Sequence, residues 1–405
     1  MKLGLENIRA LLAALNDPHE NYMKVQVAGT NGKGSVCAFL DSICVHAGIK
    51  TGLYTSPHLI SITERIKIGG KDLSETDIAR HSTHVREIAE HLLAYGKLGY
   101  RPTFFEQITA MALVAFAEAQ VELAILETGL GGRLDATTAA NAEIVAITPI
   151  DYDHQEYLGE TLAEIASEKA AIIHFGSIVV VAEQKDEAMK IIKSVCSNYG
   201  VSPKLAYLVG TDCGSGWLKF DTKKAVYQIN ELGLLGRHQI ENAKVAILLA
   251  ETLQEYFPII TANIVEGLQN ARHPGRLEYV GKFLFDGAHN VAGAKALREY
   301  LDEFVTQPVT LVFGAMRGKD VAEIAAILFP TADHIILTQP SNTRAMTPEE
   351  ILKSTDREGW GRKPVSIADV IEFFKRPDDV GLTNGIILVT GSLYLVGEAK
   401  KILNN

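Results

Sequence analysis

Short apolar runs alternate with amphipathic stretches of helical spacing along almost all of the 405-residue chain. Runs of this kind, separated by helices, predict an α/β protein in which parallel sheets are covered by helices. In the first part of the chain, strands are expected at 23–27, 123–126, 144–148 and 178–182, with helices such as 105–119 and 239–253 between them. Residues 205–235 are less regular and leave room for a small β element. At ARHPGRLEYVGK (271–282) the pattern pauses on Pro274, Gly275 and Gly281, and a fresh series begins. Its strands are expected at 283–285, 309–313, 334–338 and 386–390, and its helices at 292–304, 319–328 and 367–375. Thr347-Pro348-Glu349-Glu350 marks a further helix start, a capping box with proline at the first helical position. The chain is too long for one ordinary core, and the pause divides it into 1–275 and 282–405, joined by a linker at 276–281.

With 47% hydrophobic and 22% charged residues, the composition is that of a globular protein. A formal charge of −10 argues against nucleic-acid or membrane-surface partners. No apolar run approaches the roughly 20 residues that a membrane-spanning helix needs. Glu6 and Arg9 lie inside an N-terminal helical pattern, which is not that of a signal peptide. The four cysteines, Cys37, Cys44, Cys196 and Cys213, have neither metal-site nor disulfide spacing. Cys37 and Cys44 sit two turns apart on one helix and read as core. A cytoplasmic location is expected.

The chemistry concentrates at strand ends. After the run at 23–27 comes Gly29-Thr30-Asn31-Gly32-Lys33-Gly34-Ser35, and a helical pattern follows. Strand, glycine-rich turn and helix start together aim backbone N–H groups at phosphates. Gly29, Gly32 and Gly34 would permit close approach and positive φ, Lys33 would reach the outer phosphates, and Ser35 would offer a hydroxyl to Mg²⁺. The usual spacing is not met, because Val27 stands where a glycine is normal and Gly34 follows the lysine; a glycine turn with a chance lysine is the alternative. Glu127 ends another strand and can hold Mg²⁺ or its water. The glycines after it do not form a dinucleotide fingerprint, since Leu134 takes the last position. Asp153-His154 follows a third strand, where a lone histidine is more often structural than a ligand. Lys169 shares a helical stripe with Leu162, Ile165, Ala166, Ile172 and Ile173, so it must pair, snorkel, shift its pKa or be modified. In the second series, Asp286 follows a strand and could bind ribose hydroxyls or a metal-bound water, with Arg276 preceding it. A simple helix cap by Asn290 would leave Asp286 and His289 without a role.

These residues resemble the folylpolyglutamate synthase and dihydrofolate synthase family of the Mur ligase superfamily. The resemblance is carried, in order, by LGLE (3–6), AGTNGKGS (28–35), TSPHL (55–59), TERI (63–66), TFFE (103–106), ETGLGGRLDAT (127–137), DHQEYLG (153–159), SEKA (167–170), HPGRLE (273–278), FDGAHN (285–290) and TGS (390–392). It implies an N-terminal P-loop ATPase domain with a parallel sheet and a C-terminal Rossmann-like α/β glutamate-ligase domain, which close over a cleft. It also implies ATP- and Mg²⁺-dependent amide formation. The γ-phosphate passes to a substrate carboxylate, and the amine of L-glutamate attacks the acyl phosphate. On this resemblance Gly29–Ser35 hold the ATP phosphates, and Asn242, Arg276 and Asp286 contact the nucleotide. Ser35, Ser56, Glu127 and His154 are the implied metal ligands. Lys33, His154 and Lys169 carry catalysis, with Lys169 carbamylated. Leu3, Gly4, Thr103, Phe104, Phe105, Glu106, Leu134, Asp135 and Ala136 line the pterin site, and His289 binds substrate. Dihydropteroate and reduced folates are the implied acceptors, and a monomer is expected.

A synthase limited to folates is the nearest rival, because TFFE and LDAT indicate a pterin site without deciding between acceptors. A cell-wall Mur ligase would carry an additional N-terminal nucleotide-sugar domain, whereas 28 residues precede the loop. A nucleotide-gated binding protein would leave His154, Lys169 and Asp286 together without a use.

Overall fold

The computed structural model describes residues 4–212, 217–355, 360, 363–375 and 385–403. The described residues form two compact units. One runs up to His58 and takes in Ile62–Gly233 and Gln239–Arg272; the other takes in Leu59–Ser61, Leu234–His238 and the chain from His273 onward. Residues 276–281 thus lie within the second unit.

The first unit is built on an eight-stranded sheet. In chain order its strands are β1 (Met23–Ala28), β2 (Thr51–Tyr54), β3 (Ile66–Ile68), β4 (Lys71–Asp72), β5 (Leu123–Glu127), β6 (Ile144–Ile147), β7 (Ile178–Val181) and β8 (Lys204–Leu205). Spatially they run β4-β3-β2-β5-β1-β6-β7-β8. The six from β2 to β8 are parallel, and the β3–β4 hairpin adds an antiparallel edge. β5 and β6 are buried throughout their length, as expected of strands covered on both faces. Apolar clusters line the sheet: one includes Phe116 of the helix Phe104–Glu118, and another includes Ile165 of the helix Leu162–Ala170. Three short antiparallel strands, β9 (Gly210–Asp212), β10 (Leu218–Asp221) and β11 (Val226–Ile229), make the small β element within 205–235.

The second unit holds a six-stranded sheet in the order β12-β13-β17-β14-β15-β16. Its strands are β12 (Glu278–Val280), β13 (Phe283–Phe285), β14 (Val309–Phe313), β15 (His334–Leu337), β16 (Val365–Ile367) and β17 (Ile386–Thr390). All but β12 are parallel. The helix expected at 367–375 begins only at Val370, because 365–367 pair with β15 as an edge strand. The capping box at Thr347 forms as expected, with Pro348 at the first position of the helix Pro348–Ser354. No described helix is long and apolar enough to cross a membrane. Cys37, Cys44 and Cys196 are free and buried, and Cys213 lies outside the described residues.

Candidate active site

Strand order gathers the candidate residues of the first unit. β1 lies between β5 and β6, with Val27 opposite Glu127 and Ala28 opposite Ile147. Tyr54 of β2 is opposite Leu126. The carboxyl ends of four adjacent strands therefore deliver Ser56, Glu127, the phosphate loop and the segment leading to His154 to one edge of the sheet. Ligands of open α/β sheets bind at such an edge, where neighbouring connections diverge.

The helix after the loop, Lys33–His46, starts at Lys33 rather than beyond Ser35, so Lys33 and Ser35 occupy its first turn. Positive φ occurs at Gly29 (149°) and Gly32 (87°) but not at Gly34, which is helical. A Cβ at Gly29 would overlap the Thr148 hydroxyl, and one at Gly32 would overlap the Asn242 amide. The Pro149 carbonyl accepts the N–H groups of Thr30 (3.0 Å) and Asn31 (3.3 Å). The Thr30 hydroxyl donates to the Asp151 carbonyl and accepts the Asp151 N–H, both at 3.0 Å. On the other side, Gln239 Nε2 donates to Ser35 Oγ (3.2 Å), and its Oε1 accepts from Asn242 Nδ2 (2.9 Å). Asn242, which the resemblance implies as a nucleotide contact, thus stands beside the loop. Gln239 and Thr148 were not singled out, although Gln239 precedes Asn242 by three residues, the spacing of one helix face.

Lys169 does not snorkel. It is 4% exposed, and its Nζ donates to the Gly29 carbonyl at 2.8 Å. Lys33 Nζ donates to the same carbonyl at 3.0 Å and to that of Thr30 at 3.1 Å. Two lysine Nζ groups thus converge on one carbonyl oxygen. Burial chiefly, and repulsion from Lys33 next, bring the Lys169 pKa down to about 7, although Asp153 and Asp135 oppose the shift. Ile172 and Ile173, which follow the helix end at Ala170, are buried like the rest of the stripe.

Glu127 is buried, and its Oε2 accepts the Ser56 N–H at 3.0 Å. The Cys37 thiol, one turn into the helix after the loop, is pushed up by burial and then by Glu127, while Lys33 pulls the other way. Glu127 and Lys33 thus act on the same place. His154 adopts a left-handed conformation (φ 52°), and its Nε2 lies 3.9 Å from an Asp153 carboxylate oxygen. Among the described residues no three His, Cys, Asp or Glu side chains form a group that could hold a metal ion. The metal ligands implied by the family resemblance, Ser35, Ser56, Glu127 and His154, include only two residues of those types.

Of the residues implied for the pterin site, Leu3 lies outside the described residues, and Gly4 stands beside the Glu6 side chain. Thr103 and Glu106 form the capping box of the helix Phe104–Glu118, and the other Glu106 oxygen, Oε1, is buried without a hydrogen-bond partner among the described residues. Phe105 packs against Gly129 and Tyr54, whereas Phe104 is exposed beneath the Arg65 guanidinium, 5.5 Å from its ring centre. The Asp135 carboxylate ties down its own loop, accepting the N–H groups of Gly129 (2.8 Å), Leu130 (2.9 Å) and Thr137 (3.0 Å). Leu134 and Ala136 flank it, half-buried and buried respectively.

In the second unit, Asp286 directly follows β13 and is buried. Its carboxylate accepts the N–H groups of Leu277 (3.0 Å) and Ala288 (2.9 Å). Burial raises its pKa, opposed first by the Arg276 charge. Arg276 also borders Gly287, where a Cβ would lie 3.2 Å from its guanidinium. His289 Nδ1 lies 2.8 Å from the Gly287 carbonyl, and Asn290 caps the helix Val291–Phe304. The cap is real, yet Arg276, Asp286 and His289 are gathered beside it.

Residues 27–250 match the Mur ligase middle domain, and residues 275–393 match the Mur ligase glutamate ligase domain. A probable bifunctional folylpolyglutamate synthase/dihydropteroate synthase of Halobacterium salinarum is 35% identical over 98% of this chain, which spans only 49% of that protein. The chain likewise spans about half the length of the corresponding Haloferax volcanii relative (48%). A dihydrofolate synthase/folylpolyglutamate synthase of Bacillus subtilis is 33% identical over 100% of this chain and 95% of its own length. A Mycobacterium tuberculosis folylpolyglutamate synthase, solved with ADP and AMPPCP, superposes with a TM-score of 0.91 at 30% identity, covering 99% of this chain and 96% of that one.

Proposed function

The chain belongs to the Mur ligase family, in its dihydrofolate synthase and folylpolyglutamate synthase branch, and from that premise we propose that it is an ATP-dependent ligase joining L-glutamate to dihydropteroate and to reduced folates. The observation that carries the reading is the phosphate loop with Lys33 and Lys169 on the Gly29 carbonyl and Glu127 at the adjacent strand end. A carboxylate and an ammonium do not condense in water, because the carboxylate is a poor electrophile. Transfer of the ATP γ-phosphoryl group to the acceptor carboxylate gives an acyl phosphate. The glutamate amine then attacks its carbonyl carbon, and inorganic phosphate leaves. No enzyme nucleophile is needed, so positioning and charge stabilisation carry the catalysis.

In this reading the loop from Gly29 to Ser35 cradles the phosphates, and Lys33 leaves its loop carbonyls to meet the transferring phosphoryl group. Asn242, Arg276 and Asp286 are each read as nucleotide contacts, and His289 as a substrate contact. Carboxylate and hydroxyl oxygens suit a hard cation, and the nearby Cys37 thiol is held in its protonated form. Glu127, Ser35 and Ser56, with His154, would hold Mg²⁺, which supplies charge neutralisation to the phosphates. Thr103–Glu106 and Leu134–Ala136 receive the pterin. The reading includes a monomer in the cytoplasm.

Purified protein incubated with ATP, Mg²⁺ and L-glutamate is expected to convert dihydropteroate to dihydrofolate. With tetrahydrofolate as acceptor, the product should be heavier by one glutamyl unit. Mass spectrometry of both reactions checks this. Product from the second alone would restrict the enzyme to folates, and phosphate release only with a cell-wall precursor would overturn the acceptor assignment.

A further inference from the structure

The segment 148–154 runs past the end of β6, where strand pairing with β7 stops. The last backbone bond of that pairing runs from the Ala182 N–H to the Ile147 carbonyl, at 2.9 Å. Beyond it the chain of β7 turns away towards the helix Asp186–Asn198. The side-chain amide of Gln184 then takes over the work of a neighbouring strand. Its Oε1 accepts the Ile150 N–H at 3.0 Å, and its Nε2 donates to the Thr148 carbonyl at 3.0 Å. An N–H and a carbonyl two residues apart on one side of an extended segment form the pair that an adjacent parallel strand would engage. Pro149, between them, has no N–H of its own to offer.

The opposite side of the same segment faces the phosphate loop. The Pro149 carbonyl accepts from Thr30 and Asn31, Asp151 exchanges two bonds with the Thr30 hydroxyl, and the Thr148 hydroxyl donates to the Ala28 carbonyl at 3.2 Å beside Gly29. Residues 148–151 are thus held between one amide and one loop, and the same segment leads directly into Asp153-His154. Lys185 adds an ion pair to Asp151 at 2.7 Å, but Lys185 is exposed and Asp151 only half-buried, and such pairs contribute little. The Gln184 bonds are made to partly buried backbone groups, where loss of a partner is costly.

We infer that Gln184 is a positioning residue for nucleotide binding, acting through residues 148–151 on the Thr30–Asn31 part of the phosphate loop. The inference rests on the reading of that loop as the ATP site. Nothing about Gln184 requires it to touch a ligand. Gln184→Glu keeps the shape and the acceptor for the Ile150 N–H, but it sets a carboxylate oxygen against the Thr148 carbonyl. Gln184→Leu removes both bonds.

The test is ADP binding to the full-length protein by titration calorimetry, with steady-state kinetics and hydrogen exchange on the same samples. Wild type is expected to bind ADP; if it does not, the reading of the loop has failed, independently of Gln184. Given wild-type binding, Gln184→Glu should weaken ADP and raise the KM for ATP about tenfold, with the KM for L-glutamate changed less than twofold. Exchange should accelerate in the peptide covering 28–35 and stay unchanged in β14 and β15. Unchanged ADP affinity would overturn the inference. So would equal rises in every KM with faster exchange throughout the first unit, the signature of general destabilisation. Should Gln184→Leu not fold, the near-isosteric Gln184→Glu decides alone.

Discussion

Replacing Lys33 by alanine is expected to leave a folded protein whose turnover at saturating ATP falls by about 10²–10³. In the structure the side chain bridges the carbonyls of Gly29 and Thr30, where it is half-buried and contributes modestly to stability. In the proposed reaction the same ammonium meets charge that spreads over the oxygens of the transferring phosphoryl group. Loss of one such preorganised donor costs on the order of 3–4 kcal/mol of barrier in comparable sites. Steady-state rates and thermal unfolding of the purified variant check this together. Turnover near wild type would remove Lys33 from the chemistry, and an unfolded variant would show that its loop bonds carry the fold. A secondary result is also expected. Because Lys33 helps to hold the Lys169 pKa down, its removal should raise that pKa towards the ordinary lysine range.

Lys169→Ala is expected to be as severe and to be partly restored by short carboxylic acids. A fully charged Lys169 would be desolvated, repelled by Lys33 and set close to the cation that the site is proposed to hold. With a pKa brought down to about 7, a large fraction of the amine is neutral at neutral pH and competent to add CO₂. The carbamate so formed is an anion, which suits the place far better than an ammonium. The pH dependence follows in sign. The folded pKa lies below that of the unfolded chain, so between the two the unfolded state binds more protons. The cost of burying Lys169 is absent above the unfolded value, grows as pH falls towards 7 and is constant below it. Carbamylation should therefore be favoured by neutral to alkaline buffers with bicarbonate and lost in acid. Activity of Lys169→Ala with and without acetate or formate, and ¹³C NMR of wild type in ¹³C-bicarbonate, check the two halves. No rescue together with no carbamate resonance would leave Lys169 a structural lysine on the Gly29 carbonyl.

The parts of this molecule that apolar periodicity controls were legible in the sequence. β13, β14 and β17 fall on the expected residues, and β1, β5, β6 and β7 do so within one residue at an end. These strands lie inside their sheets and are buried on both faces, mostly through apolar side chains, although β1 also buries Lys24 and Gln26. Edge strands escape the same reasoning because they are short and half polar. β16 was missed for this reason, with only its last residue, Ile367, falling inside the expected helix, and the β3–β4 hairpin went unmarked. Among site residues, Lys169 was legible as a charge in an apolar stripe, and the phosphate loop as glycine punctuation between a strand and a helix. Asp135 shows the limit of such reading. Only the resemblance implies it for the pterin site, and what the structure adds is that its carboxylate accepts the N–H groups of Gly129, Leu130 and Thr137, as aspartates in turns commonly do. Gln184 gave no signal at all, since an amide just past a strand is indistinguishable in sequence from any loop residue. Its role comes from the register of β6 against β7, which only the assembled sheet defines.

In the proposed reaction the acceptor carboxylate is activated by phosphorylation. The most direct measurement uses dihydropteroate labelled with ¹⁸O in both carboxylate oxygens, together with ATP, Mg²⁺ and L-glutamate. If an acyl phosphate forms and the glutamate amine displaces it, one labelled oxygen leaves with each phosphate. Mass spectrometry of the released inorganic phosphate should then show one ¹⁸O per molecule, in step with dihydrofolate formed. Unlabelled phosphate at equal product yield, or label appearing in AMP, would contradict the account.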